Sequence, residues 1–434
     1  MPEVINTIGQ GLTDPHIRIF EDRAYLYSSH DHSQDSTQFV MKDWRVLSSS
    51  NLLDWKLESV LKPEETYIGK PIDGCWATDA IEKNGKYYWC FSEVDNTSGH
   101  HQIGLMVGDT PAGPWKDVLG APLLTNRCVE TEVYDPCFFK EDNGDVFILF
   151  GVWDYYIARM SGDVLSLAEE PRKIEVVNPE GPYGKEKTDD KIFLHKQNGL
   201  YYLSWGSYYA TSAVLEGPYT CRGCFVDPGK IEKRFKKTTW PHGPTQGRHG
   251  SFFEWNGQSF FAYCEMCFSG NRYHRDFWIS YIHYRKNGDI EPIAINSDAV
   301  GTYRLNSDPI PAANYFKAHK ASKQEEQPGE YEVQMHGCGS SLEFPNLIGG
   351  KGFSFLVMNV QAEGENPVLI IEGNGDSGPR KTLQEMNLTW ISGKGYQTIN
   401  CPLEESLEDP ESIVLRLSGS SDSTVAIKWL QILH

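Results

Sequence analysis

The chain has 434 residues, with 59 Asp and Glu against 40 Lys and Arg and a formal net charge of −19. That length exceeds one ordinary core and predicts a large domain plus a smaller one. The charge repels phosphate backbones and anionic lipid, which excludes nucleic acid and membrane surfaces as partners. No apolar run reaches the ~18 residues of a membrane span. The opening "MPEVINTIGQGLTDP" has no basic start followed by an apolar core, so the expected compartment is the cytoplasm, or a secreted or periplasmic one if a leader was removed. Ten scattered cysteines read as reduced thiols. "CRGC" (Cys221, Cys224) and "CEMC" (Cys264, Cys267) have the residue types of a zinc site, but their wide separation and the strand character of "FFAYCEMCFSG" favour inert thiols.

Five segments in chain order share one pattern: a short apolar strand, a tight turn, and a strand rich in Tyr, Phe, Leu and Trp. They are "DPHIRIFEDRAYLYSS" from Asp14, "DAIEKNGKYYWCFS" from Asp79, "DPCFFKEDNGDVFILFG" from Asp135, "DKIFLHKQNGLYYLSWG" from Asp190 and "HGSFFEWNGQSFFAYC" from His249. Asn-Gly marks four of the turns, because both turn residues must accept a positive φ, and Glu21-Asp22 stands in the first. Starts roughly 55 to 65 residues apart leave room for a four-stranded unit each. The fold class expected is all-β: a five-bladed β-propeller over residues 1–318, then a smaller β-sandwich.

The first strand of each blade lines the central channel, so its leading residue sits at one mouth. Asp14 precedes Glu21 by 7 positions, Asp135 precedes Asn143 by 8, Asp190 precedes Asn198 by 8 and His249 precedes Asn256 by 7, which predicts one patch. Asp79, 5 ahead of Asn84, lies deeper or on a shorter strand. A single Asp-Pro is a turn initiator. Two of them plus Asp190 at matching positions favour chemistry: an ionised base (Asp14), a carboxylate that tunes and orients (Asp135) and a proton donor, the set that hydrolyses a glycosidic bond. Asp190 is the expected donor by register, with Glu186 on the incoming loop as the alternative.

These residues resemble glycoside hydrolase family 43, the five-bladed arabinofuranosidase, xylosidase and arabinanase group. "TDPHIRIFEDRAYLYSSHD" is similar to its opening strand with base aspartate and His-Asp, "CWATDAIEKNGKYYWCFS" to its second blade and "YDPCFFKEDNGDVFILFG" to its modulating aspartate. "RHGSFFEWNG" resembles the pore-histidine blade and "HRDFWISYIHYRKNGDIEPI" the closing strands with a substrate-facing arginine. The resemblance implies inverting, exo-acting cleavage of arabinofuranosyl, xylosyl or related residues from plant-type oligosaccharides or polysaccharides. It implies substrate contacts at His30, Asp31, Trp76, Asp79, Trp205, His249 and Arg275. No cofactor is required, and the resemblance implies a central water or a structural Ca²⁺ held through water at His249, where the residues alone favour a lone satisfied histidine. Where the family has Glu-Gly-Pro before the fourth hairpin, this chain reads "DDKIF". Fructosidase, glycoside phosphorylase and a non-catalytic glycan-binding propeller are the alternatives.

Residues 319–329, within "HKASKQEEQPGEYE", read as a polar linker. The alternating segments over 330–434 read as the sandwich, whose tail resembles a family 6-like carbohydrate-binding module. There Trp390 or Tyr396 offers a stacking ring, although bracing of the propeller is the favoured role.

Overall fold

In the computed structural model the described residues are 4–5, 7–94, 99–233, 235, 248–375 and 378–434. They form two units, Met1–Phe253 with Phe260–Ser280 and Pro292–Ser297, and Glu254–Ser259 with Tyr281–Glu291 and Asp298–His434.

The first unit is built from five antiparallel blades. The innermost strands are Leu12–Phe20, Thr78–Lys83, Cys137–Lys140, Ile192–Gln197 and Gly250–Trp255, each paired with the next strand of its hairpin. Tip residues take positive φ where Asn-Gly predicts it, at Asn84-Gly85 and Asn198-Gly199, and Glu21-Asp22 adopts the same conformation with φ 51° and 58°. The third hairpin differs: Lys140 pairs with Val146, so its turn runs over residues 141–145.

Neighbouring inner strands are stitched by polar groups, because blades meet at their faces and share no ladder. Arg18 donates from Nε to Asp79 Oδ1 at 2.9 Å. The Phe138 N–H reaches Asp79 Oδ2 at 2.6 Å, and the Leu194 N–H reaches Cys137 Sγ at 3.5 Å. His195 stacks on Phe252 at 4.3 Å, and the Ile17 N–H donates to Ser251 Oγ at 2.9 Å, which brings the fifth blade back to the first. Asp276 completes the closure, accepting the Gly9 and Gly11 N–H groups at 2.9 and 3.0 Å. Gly11 has φ 70°, and a Cβ there would run into the Asp31 carbonyl, so only glycine fits. Apolar wedges fill the gaps between blades. Tyr27, Trp44, Trp89 and Phe91 lie between the first and second, and Ile81, Ile103, Phe138 and Ile148 between the second and third.

The second unit consists mainly of two antiparallel sheets. One orders Ala321–Gln327, Glu330–His336, Thr424–Leu433, Phe353–Glu363 and Gln397–Leu407; the other orders Lys317–His319, Ser341–Pro345, Pro410–Ser418, Val368–Gly375 and Lys381–Asn387. Leu356, Met358, Val360 and Ala362 on one sheet and Leu369, Ile371, Leu415 and Leu417 on the other are buried at period two, the pattern of a β-sandwich.

Two expectations change here. The stretch 319–329 is not a linker: Ala321–Gln327 is an edge strand paired with Glu330–His336. Its polar composition suits an edge, where charged side chains oppose pairing with another chain. The limit at 318 also falls inside the second unit, since Ile310–Pro311 pairs with Trp429 and Leu430.

Asp79 is fully buried and paired with Arg18; burial alone would raise the carboxyl, but the Arg18 charge and hydrogen bonds outweigh it and hold the group below its ordinary value. Such a pair stabilises the fold above the unfolded-state pKa, and the contribution drains as pH falls. Asp79→Asn is therefore expected to cost about 3–5 kcal/mol at pH 7, because the guanidinium loses its partner. Chemical denaturation should show that deficit narrowing below about pH 4.

Candidate active site

Asp14, at the register shift inside Leu12–Phe20, and Asp135, two residues ahead of Cys137–Lys140, share one left-handed backbone conformation, φ 48° and 51°. Each precedes a proline, whose fixed φ carries the chain on into extended backbone. Both carboxylates approach the same atom, His249 Nδ1, at 3.5 and 3.8 Å. They are nearly buried, with 4% and 5% exposure.

Their environments differ. Arg275 donates to Asp14 from Nη1 at 2.9 Å and Nη2 at 3.4 Å, and the Ser29 hydroxyl donates at 2.6 Å. Burial alone would push the Asp14 carboxyl up; the Arg275 charge and the Ser29 hydrogen bond outweigh it, so the group lies below its ordinary value. Asp135 has no such cation in contact. Burial first, and the Asp14 charge second, push it up to about 7, although the Lys191 N–H donates to its Oδ2 at 3.0 Å. Two carboxylates beside one imidazole thus hold one proton below neutral pH, on Asp135. Burial lowers His249 to about 3, which leaves the ring neutral.

The other expected residues divide. Arg275 reaches Asp14 and also binds Asp31, Nε to Oδ2 at 3.0 Å. Asp31 is wholly buried behind it and positions the guanidinium without facing the mouth. Trp76 is in the wall with Phe39 at 5.7 Å and His101 at 6.2 Å between ring centroids. His30 is turned to Asp43 at 3.1 Å. Two assignments are corrected: Asp79 is consumed by Arg18 and the Phe138 N–H, and Trp205 is a core residue, 0% exposed, whose indole N–H donates to the Glu180 carbonyl at 3.0 Å. Neither side chain is open to solvent.

Asp190 is 30% exposed on its side chain and accepts from the Tyr134 hydroxyl at 3.4 Å. Lys191 bonds Asp190 through its ammonium and Asp189 at 2.8 Å. The left-handed conformation of Asp14 and Asp135 recurs at Lys191, φ 72°, so by backbone conformation the fourth blade offers Lys191 and displaces Asp190 by one. The strand begins only at Ile192, which lets Asp189 and Asp190 turn toward the same ammonium instead of to opposite faces. Glu186 does not join this group. Its N–H donates to the Pro179 carbonyl at 2.7 Å, and it lines a cavity with Trp153 and Thr188.

Sequence reasoning missed Lys191, Tyr134, Ser29 and His101. Tyr134 stacks on His101 at 4.2 Å, so Phe39, Trp76, His101 and Tyr134 form a continuous aromatic wall from Arg275 to Asp190. "YDP" in the third blade carried the signal for Tyr134; nothing local marked the other three.

Residues 5–290 match the family model for Glycosyl hydrolases family 43. The chain belongs to that family. This family 43 glycosidase is 28% identical over 265 residues to a β-xylosidase of Xylanibacter ruminicola, covering 50% of this chain and 80% of that one. It is 28% identical over 334 residues to a xylosidase/arabinosidase of Humicola insolens, covering 64% and 95%. Among solved structures it resembles a β-xylosidase/α-arabinofuranosidase from a compost microbial metagenome, in complex with xylotriose and in a calcium-free form. The TM-score is 0.55 at 25% identity, over 69% of this chain and 100% of that one. An arabinoxylan arabinofuranohydrolase from Bacillus subtilis shares the fold over 99% of this chain and 96% of its own, with TM-score 0.54 and 18% identity.

The Ca²⁺ or central water expected at His249 would be held through water, because the ring offers one unpartnered, buried Nε2 and no oxygen. Calcium takes 6–8 oxygen ligands, which waters would have to supply here. Among the described residues no three His, Cys, Asp or Glu side chains group as metal ligands. A single water satisfies that nitrogen equally well.

Two outcomes follow from the charges. Arg275→Met removes the cation that keeps Asp14 ionised, so the acid limb of the kcat/KM profile should move to higher pH by about one unit or more. Because folded Asp135 keeps a proton that the unfolded chain has lost between about pH 4 and 7, stability falls as pH rises through that window. Asp135→Asn should flatten that slope in denaturation curves recorded from pH 4.5 to 8.

Proposed function

We propose that this family 43 enzyme is an inverting, exo-acting glycosidase that removes xylosyl, arabinofuranosyl or related residues from xylan-type oligosaccharides and polysaccharides. One observation carries the reading: Arg275 donates to Asp14, and a second nearly buried carboxylate, Asp135, meets the same His249 nitrogen with no guanidinium on it. Asp14 takes the proton of the attacking water, Asp135 tunes the site, and Asp190, partly exposed beyond it, protonates the leaving oxygen. Carboxylates supply both ends of the proton transfer, so the reaction needs no cofactor. The names of its relatives, β-xylosidase and xylosidase/arabinosidase, support the sugar class. Phosphorolysis is disfavoured, because Arg275 and Lys191 are each already shared between two carboxylates.

The Lys191 ammonium on Asp190 favours a second reading of the donor alone. Lys191 bonds the Asp190 carboxylate, whereas burial raises Asp135 and favours its protonated form, so Asp135 is the competing acid.

Asp14→Asn should abolish turnover. Asp190→Asn should cost about 10²–10⁴-fold on natural oligosaccharides and far less on a nitrophenyl glycoside, whose leaving group needs little protonation. If Asp135→Asn shows that leaving-group pattern and Asp190→Asn does not, Asp135 is the donor. A wild-type chain inactive on every glycoside of a broad panel overturns the proposal.

A further inference from the structure

A cavity of about 460 Å³ is lined by Trp153, Tyr155, Glu175, Glu186, Lys187 and Thr188 among others. Trp153 is 47% exposed, whereas Trp44, Trp55, Trp89 and Trp205 are at most 1% exposed. Folding normally hides so large an apolar surface, and leaving half of it open forfeits burial energy. The residue is not loosely attached. Its N–H donates to the Asp189 carbonyl at 3.1 Å, its carbonyl accepts the Thr188 hydroxyl at 2.6 Å, and Tyr183 packs edge-on against the indole at 5.0 Å. The backbone at Trp153 is left-handed, φ 66°, a conformation that an aromatic residue adopts only when its surroundings enforce it.

The cavity adjoins the catalytic group through one short segment. Thr188 forms part of its wall, Asp190 follows two residues later, and the Lys191 N–H faces Asp135. An exposed indole next to Glu175, Glu186 and Lys187 presents an apolar face with hydrogen-bond acceptors and donors beside it. A pyranose offers the complement, a C–H face and a rim of hydroxyls. The carboxylates disfavour an anionic guest.

We infer that this cavity is a subsite for the leaving-group side of the substrate, in which Trp153 stacks on a sugar ring beyond the two that flank the cleaved bond. The inference rests on the reading of the reaction given above, and it assigns longer xylo-oligosaccharides as the favoured substrates.

The test titrates xylobiose and xylotetraose calorimetrically into Asp14→Asn and into Asp14→Asn/Trp153→Ala. The first protein should bind the tetraose about tenfold more tightly than the biose; the second should lose that gain, and Asp14→Asn/Trp153→Phe should keep most of it. An undiminished gain in the alanine variant, or no gain in the parent, overturns the subsite. Turnover by the wild-type chain is scored separately: its absence defeats the proposed reaction while the titrations still decide the platform.

Discussion

Arg275 carries two buried carboxylates on one guanidinium, and the placing of the rest of the site depends on that arrangement. Asp14 comes from the first blade and Arg275 from the fifth, so the ion pairs that keep Asp14 charged also join the first and last parts of the ring. Asp276, the next residue, pins Gly9 and Gly11. Closure and catalysis therefore draw on the same two positions. Taking carboxylates out of water is costly, and a fixed cation with five donors is one of the few groups that offsets the cost with defined geometry.

The consequence is asymmetry. Asp14 and Asp135 share an imidazole edge and a backbone conformation, yet one has the guanidinium and the other has a single backbone N–H. Environment, not residue type, separates an ionised group from a protonated one. The neutral His249 between them adds no charge of its own, so the division survives at the pH where both would otherwise ionise.

The five hairpins were legible because their turns demand positive φ and their strands are aromatic, both local properties. Asp14 and Asp135 were legible for the same reason, since Asp-Pro is a local signal that marks the same backbone bend in both blades. Asp79 and Trp205 misled because register says which element a side chain is on, not whether a partner such as Arg18 or the Glu180 carbonyl already occupies it. The register expected of Asp190 was obscured by one residue of offset: the left-handed bend falls on Lys191, and its ammonium gathers the two aspartates before it. Trp153 was invisible for a different reason. It belongs to the loop after Val146–Phe150, and only the fold brings that loop against Thr188 and Asp189. The edge strand Ala321–Gln327 looked like a linker because edge strands and linkers are polar for unrelated reasons.

The central claim is that Asp14, kept ionised by Arg275, activates a water instead of attacking the sugar. The most direct measurement is the anomeric configuration of the sugar first released from a xylo-oligosaccharide, followed by proton NMR before mutarotation. The account predicts the inverted anomer. Release with retained configuration would mean a covalent glycosyl intermediate and would contradict it.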